Sequence, residues 1–224
     1  MAGSNTINLN MPREHVMKLK LFFASVALLT SAILSAADNM NRGPYEPIPA
    51  QPTATGNNIE VLEFFWYGCP HCYSLEPYLE KWQTTKADDV QLRRVPAILG
   101  KNWIPHARAY FTAEKLGIVN KIHRPLFEAI HKDKKPILDE KSLRDFFATM
   151  GVDKDEFTRI YESNEISEKI QEAFVLGQQY QITGVPTVIV NGKYRTSSSM
   201  AGGNANLIET INQLTAKERK QASG

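Results

Sequence analysis

Cys69 and Cys72 are the only cysteines among the 224 residues, and only Pro70 and His71 separate them. A pair this close closes too small a ring to tie distant segments together, so its spacing points to thiol–disulfide chemistry rather than to a structural staple. A helix is expected to open at Cys69 or Pro70, because a proline is tolerated in the first turn, where an N–H has no partner to lose. A sulfur at that point meets unpaired N–H groups and the positive end of the helix dipole. Both favour the thiolate, which is the nucleophile in disulfide exchange. One turn on, Cys72 can close a disulfide with Cys69 or resolve a mixed one, and His71 offers a cation and a further N–H donor. An inert disulfide is one competing use of such a pair. Zinc is the other, and it would need two more ligands from His71, His106, His123 and His131, none of which has finger-like spacing.

Positioning the pair requires a strand before it and a sheet beside it. Ile59–Phe65 (IEVLEFF) has the β-branched and aromatic composition of a buried strand, interrupted by one acid, Glu63. Inside a sheet that carboxyl must be paired or hold its proton at unusually high pH; on a half-exposed strand it needs neither. Trp66-Tyr67-Gly68 turns the chain. The helix then runs through Leu75, Tyr78, Leu79 and Trp82 with a kink at Pro77, and Val90–Val95 is a second strand. Asn39–Asn58, rich in Pro, Gly and Asn, is expected to be an extended arm. From about Ile104 to Tyr180 apolar residues recur at helical spacing, among them Leu126, Phe127, Phe147, Phe157, Ile166, Phe174 and Val175. Gly117, Gly151 and Lys132–Pro136 break the pattern, and the apolar positions are expected to be core. Strand character returns at Thr187–Val190, followed by Asn191-Gly192, a strong hairpin signal, then Lys193–Thr196 and a final helix over Asn204–Lys217. Gly184-Val185-Pro186-Thr187 precedes that strand, and the isomer of its proline cannot be read from sequence.

The order β-α-β, helical block, β-β-α is that of an α/β thioredoxin fold with an inserted all-helical domain. Its boundaries are expected at 38–103 and 181–224 for the two thioredoxin-fold parts and at 104–180 for the insertion. Residues 17–37 have the layout of a cleaved secretory signal: Lys18 and Lys20, an uncharged apolar run over Leu21–Leu34, then Ser35-Ala36-Ala37. That run is shorter than the ~20 residues of a membrane span. Residues 1–16 fit no part of a signal, and Met17 is an alternative start. The formal net charge is +2, and residues 1–37 supply it with Arg13, Lys18 and Lys20 against Glu14. The neutral remainder lacks the clustered basic excess that nucleic-acid binding requires.

Glu60–Glu76 (EVLEFFWYGCPHCYSLE) and Gly184–Tyr194 (GVPTVIVNGKY) resemble the DsbA family, the disulfide donors of bacterial periplasms, and the likeness extends over the helical block and Pro125–Ile130 (PLFEAI). The Pro-His dipeptide is the family's usual one. The resemblance implies a monomeric, cofactor-free protein disulfide oxidoreductase that donates the Cys69–Cys72 disulfide to reduced, unfolded exported proteins through a mixed disulfide on Cys69. A DsbB-like, quinone-linked membrane partner would reoxidise it in the periplasm. It further implies a cis Pro186 facing the disulfide, with the Val185 backbone available to an extended substrate, and a proton-transfer role for Glu63 toward Cys72. Trp66, Tyr67 and Gly68 differ from the best-known members, Gly68 standing where an aromatic is common. A reductase or isomerase on the same fold, or a peptide-binding holdase with a vestigial redox pair, are the competing readings.

Overall fold

A computed structural model describes residues 43–222, so the signal segment expected at 17–37 and the extension before it lie outside the described residues. Within the stretch expected to be an extended arm, Tyr45–Pro47 forms a short strand, β1. β2 spans Ile59–Phe65 with every residue buried, α1 spans Pro70–Gln83 with Pro77 inside it, and β3 spans Val90–Pro96. After a 3-10 turn at Lys101–Trp103, five helices follow: α2 (Ile104–Lys115), α3 (Val119–His131), α4 (Glu140–Thr149), α5 (Lys154–Tyr161) and α6 (Asn164–Gln179). β4 (Thr187–Val190), β5 (Tyr194–Thr196), a single turn α7 (Ser198–Ala201) and α8 (Asn204–Ala222) complete the chain.

The strands form one sheet in the order β1-β5-β4-β2-β3. β3 runs parallel to β2, while β4 runs antiparallel to both β2 and β5. This mixed sheet with helices on its faces is a thioredoxin fold, and α2–α6 are inserted between β3 and β4. The alternation of strand side chains divides the core. Val61, Val188 and Val190 pack with Leu75, Leu79 and Trp82 of α1 and with Leu207, Ile211 and Leu214 of α8. Leu62, Phe64 and Ile189 face the insertion, where Leu126, Phe127, Phe147 and Phe157 pack. β2 is central and covered on both sides, which is why its sequence is nearly all apolar.

The helical block is punctuated by caps as well as by breaks. Asp139 and Ser142 form a capping box at α4, the Asp153 carboxylate accepts from Asp155 and Glu156 at α5, and Ser163 caps α6. The β4–β5 turn forms at Asn191-Gly192 as expected, with φ of 50° and 66°. A Cβ on Gly192 would also lie 2.2 Å from the Gln51 carbonyl oxygen, so this position needs glycine on two counts. One expectation fails: Phe174 and Val175, expected in the core, are each 39% exposed on α6. The arm contains β1 because the free edge of β5 supplies hydrogen-bonding partners that Tyr-Glu-Pro could not announce by itself. Among the described residues no helix is long and apolar enough to cross a membrane.

Candidate active site

β2 delivers the chain into the turn Trp66-Tyr67-Gly68, and Cys69 stands at the N-cap of α1 in extended conformation with Pro70 at the first helical position. The turn is held by the insertion. His131, at the last position of α3, bonds the Tyr67 carbonyl oxygen through Nε2 at 2.7 Å, and His123, two turns earlier, bonds the Tyr67 hydroxyl through Nδ1 at 2.8 Å. His131 also stacks on Tyr73 of α1, with centroids 5.1 Å apart. The helical block therefore grips the loop that carries the first cysteine. Three of the four histidines considered as zinc ligands are used in such bonds, since His106 Nε2 lies 2.7 Å from the Ile137 carbonyl oxygen.

Both cysteines are free thiols. Cys69 keeps 8% exposure and Cys72 only 1%, so an incoming sulfur meets Cys69 first. A hydrogen bond from the Cys72 thiol draws the Cys69 pKa down to about 6; burial works against it, and the backbone N–H groups of Cys72 and His71 and the His71 charge add to it. Burial and the neighbouring Cys69 push the Cys72 thiol far up. One sulfur is thus poised as a thiolate and the other as a thiol, which is the division of labour that exchange requires. Pro70 and His71 are exposed beside them. The Val185–Pro186 peptide bond is cis, and the Cys69 thiol lies 3.4 Å from the Val185 carbonyl oxygen. Residues 116 apart in sequence are brought together there. A groove of about 520 Å³ lined by His71, Val185, Pro186, Arg195, Ser197 and Asn204 opens on this side.

Under the thiols lies a buried charged network. Glu63, 1% exposed, sits opposite Arg94 in the β2–β3 register. Arg94 donates from Nε to Glu63 at 3.1 Å and from Nη2 to Glu76 at 2.7 Å. His123 Nε2 approaches the other oxygen of Glu76 at 3.3 Å. Burial raises the Glu63 pKa to about 8 against the pull of Arg94, and the Glu76 charge adds to the rise. Glu76 goes the other way: burial opposes its ionisation, but the His123 hydrogen bond and the charges around it hold its carboxyl below the usual range. One guanidinium thus serves two carboxyls, one ionised and one protonated, and the site stays close to neutral. The half-exposed alternative for Glu63 is thereby excluded.

A model of the DSBA-like thioredoxin domain matches residues 60–214. The chain belongs to the DsbA family. It is 40% identical over 207 residues to the thiol:disulfide interchange protein DsbA of Pseudomonas syringae pv. tomato, covering 87% of this chain and 97% of that one. The crystal structure of Pseudomonas aeruginosa DsbA superposes with a TM-score of 0.77 at 39% identity, covering 81% of this chain and 95% of that one. That of DsbA from Xylella fastidiosa does so with a TM-score of 0.74 at 32% identity, over 79% and 96% of the two chains. The chain is a protein disulfide oxidoreductase.

Within this family frame Gly68 has a local cause. The Trp66 indole folds back over it and stacks on Trp103, with ring centroids 4.3 Å apart and planes 7° from parallel. A Cβ on Gly68 would lie 2.3 Å from that indole. An aromatic cannot occupy position 68 while Trp66 lies there. Sequence reasoning found Glu63 but missed Glu76, Arg94, His123 and Tyr67. A signal existed for Glu76: with Cys72, Leu75 and Leu79 it falls on the apolar stripe of α1, where an unpaired acid would be costly.

Proposed function

We propose that the protein is an oxidase of exported proteins, donating the Cys69–Cys72 disulfide to reduced, unfolded chains in the periplasm after removal of residues 17–37. A substrate thiolate attacks Cys69 Sγ, a mixed disulfide forms, and the Cys72 sulfur leaves, taking up a proton. A second substrate thiolate then attacks the substrate sulfur of the mixed disulfide and expels Cys69 as a thiolate. Two electrons pass from the substrate dithiol to the cysteine pair, and the substrate gains one disulfide. A DsbB-like membrane partner linked to a quinone takes those electrons away. Glu63 is the acid that gives the Cys72 sulfur its proton and takes it back on reoxidation.

The observation that carries this reading is the asymmetry of the pair. Cys69 is a low-pKa sulfur at a helix N-terminus, 3.4 Å from the Val185 carbonyl oxygen, and a good leaving thiolate favours donation of the disulfide. The main chain of Val185 suits an extended segment passing the sulfur, in the manner of strand addition. Beyond Thr183, an apolar hollow of about 160 Å³ lined by Ile98, Leu99, Phe174 and Ile182 suits the apolar side chains of an unfolded chain. The protein acts as a monomer.

Cys72→Ala tests the roles directly. Mixed with reduced exported proteins after oxidation by a small disulfide, it is expected to accumulate complexes joined through Cys69 on non-reducing gels. Equal trapping through Cys72 in Cys69→Ala would contradict the assignment. Full oxidative refolding activity in Cys69→Ala would instead favour a holdase.

A further inference from the structure

The two buried carboxyls beneath the cysteines are not equivalent, and the difference lies outside the thioredoxin-fold part. Glu63 has one side-chain donor, Arg94 Nε at 3.1 Å. Glu76 has two, Arg94 Nη2 at 2.7 Å and His123 Nε2 at 3.3 Å. An ionised carboxylate only accepts, so His123 carries its proton on Nε2 and its Nδ1 accepts from the Tyr67 hydroxyl at 2.8 Å. Donation therefore runs one way, from Tyr67 through His123 to Glu76, and from Arg94 to both acids.

We propose that His123, on helix α3 of the insertion, is a positioning residue for disulfide exchange: by giving Glu76 a second donor it keeps the negative charge there and leaves the proton of the carboxyl pair on Glu63. This rests on the reading of Glu63 as the acid for Cys72. Arg94 is the cation that both acids share, and it already lies closer to Glu76, at 2.7 Å, than to Glu63, at 3.1 Å. His123 adds a second donor on the same side and reinforces that preference. It is 5% exposed and ringed by Phe65, Tyr67, Tyr110 and Phe127. The titratable and charged groups that face it are Glu76 and Glu80 of α1, Arg94 of β3, Tyr67 of the turn and Tyr110 of α2. Burial holds the His123 pKa below its ordinary value against the pull of Glu76, so the ring acts as a neutral donor near pH 7. The same histidine bonds Tyr67 of the turn, so the insertion helix bears both on the loop that carries Cys69 and on the carboxyl that acts on Cys72.

The test is carboxyl carbon-13 NMR of the glutamate-labelled dithiol protein, with Cys69 ionisation followed by thiolate absorbance. In the unmodified protein Glu63 is expected to titrate near 8, with Glu76 ionised throughout. In His123→Leu the Glu63 midpoint should fall by roughly one to two pH units, the worth of one hydrogen bond to a charged group, while that of Glu76 rises. The Cys69 midpoint should then climb from about 6, because a carboxylate replaces a neutral acid beside Cys72, whose thiol is the hydrogen-bond donor to Cys69. His123→Gln, which keeps an N–H donor at a similar reach, should restore both midpoints. Tyr67→Phe, which leaves Glu76 untouched, should keep Glu63 near 8.

A Glu63 midpoint unmoved in His123→Leu would overturn the proposal, as would an equal shift in Tyr67→Phe. So would a Cys69 shift of the same size in His123→Leu made on a Glu63→Gln background, since it would show that the histidine acts through packing. A Glu63→Gln protein with an unchanged pH profile of disulfide donation refutes the acid role of Glu63 alone. The carboxyl spectra still decide where the proton sits.

Discussion

Reducing the disulfide creates a thiolate whose stability depends on pH, and this makes the stability difference between dithiol and disulfide forms a sensitive test of the site. The Cys69 pKa is about 6 in the folded protein, against ~8.5 in an unfolded chain. A depressed folded pKa adds stability that is complete above the unfolded value and is lost as pH falls through the folded one. The ratio of the two binding polynomials gives almost nothing at pH 5, ~1.4 kcal/mol at pH 7 and ~2.6 kcal/mol at pH 8. Cys69 keeps some contact with solvent, and screening reduces the change from pH 5 to pH 8 to about 2 kcal/mol. Cys72 has the opposite sign. Its folded pKa is raised, so it costs the reduced form stability once pH passes ~8.5, where the unfolded thiol ionises. Closing a ring of four residues favours the disulfide form by ~2 kcal/mol by loop entropy, independently of pH. The two forms should therefore differ little near pH 7. The reduced form should gain about 2 kcal/mol on the oxidised one between pH 5 and pH 8 and stop gaining above ~8.5. Urea unfolding of both forms at pH 5, 7, 8 and 9 measures this. A difference constant to within about 0.5 kcal/mol across that range would refute the assignment of a low-pKa thiolate to Cys69.

Three further outcomes follow from the geometry. His71→Pro removes a backbone N–H and a charge that both favour the thiolate, so the Cys69 midpoint should rise from about 6, and by more than in His71→Leu, which loses only the charge; equal midpoints in both variants would rule out the backbone contribution. Gly68→Ala forces Trp66 off Trp103 and should cost ~1–3 kcal/mol with a change in tryptophan fluorescence, whereas unchanged stability and emission would show that the stack yields freely. Arg94→Met strips the cation from Glu63 and Glu76 and should destabilise by ~3–5 kcal/mol near pH 7, partly relieved as pH falls and the acids protonate; a mild loss would mean the network contributes little to holding β2, β3 and α1 together.

What was legible in the sequence was local. Ile59–Phe65 and, within Thr187–Val190, Val188–Val190 are buried on both faces, so their apolar runs carry the signal, and both strands form with the expected bounds. Asn191-Gly192 announced its turn because few dipeptides accept two positive φ angles. Pro70 after a thiol marked the helix start. What escaped was assembled over distance. His123 meets Glu76 across 47 residues and Tyr67 across 56, and in the sequence it was only one of several histidines that a metal would need. Arg94 meets Glu63 across 31 residues through strand register. Tyr45–Pro47 becomes a strand only because β5 offers an edge. Phe174 and Val175 lie at core spacing yet face outward, and Phe174 lines the hollow beside Thr183, so an apolar periodicity alone does not separate core from docking surface.

The central claim is that the low-pKa Cys69 makes this pair a disulfide donor rather than a reductant. Its equilibrium with glutathione, read from the fraction of Cys69–Cys72 disulfide at pH 7, tests that most directly. A donor should lie far above the ~−270 mV of thioredoxin, in the oxidising range where glutathione at millimolar concentration reduces it almost completely. A potential at or below ~−270 mV would contradict the account and make the protein a reductase.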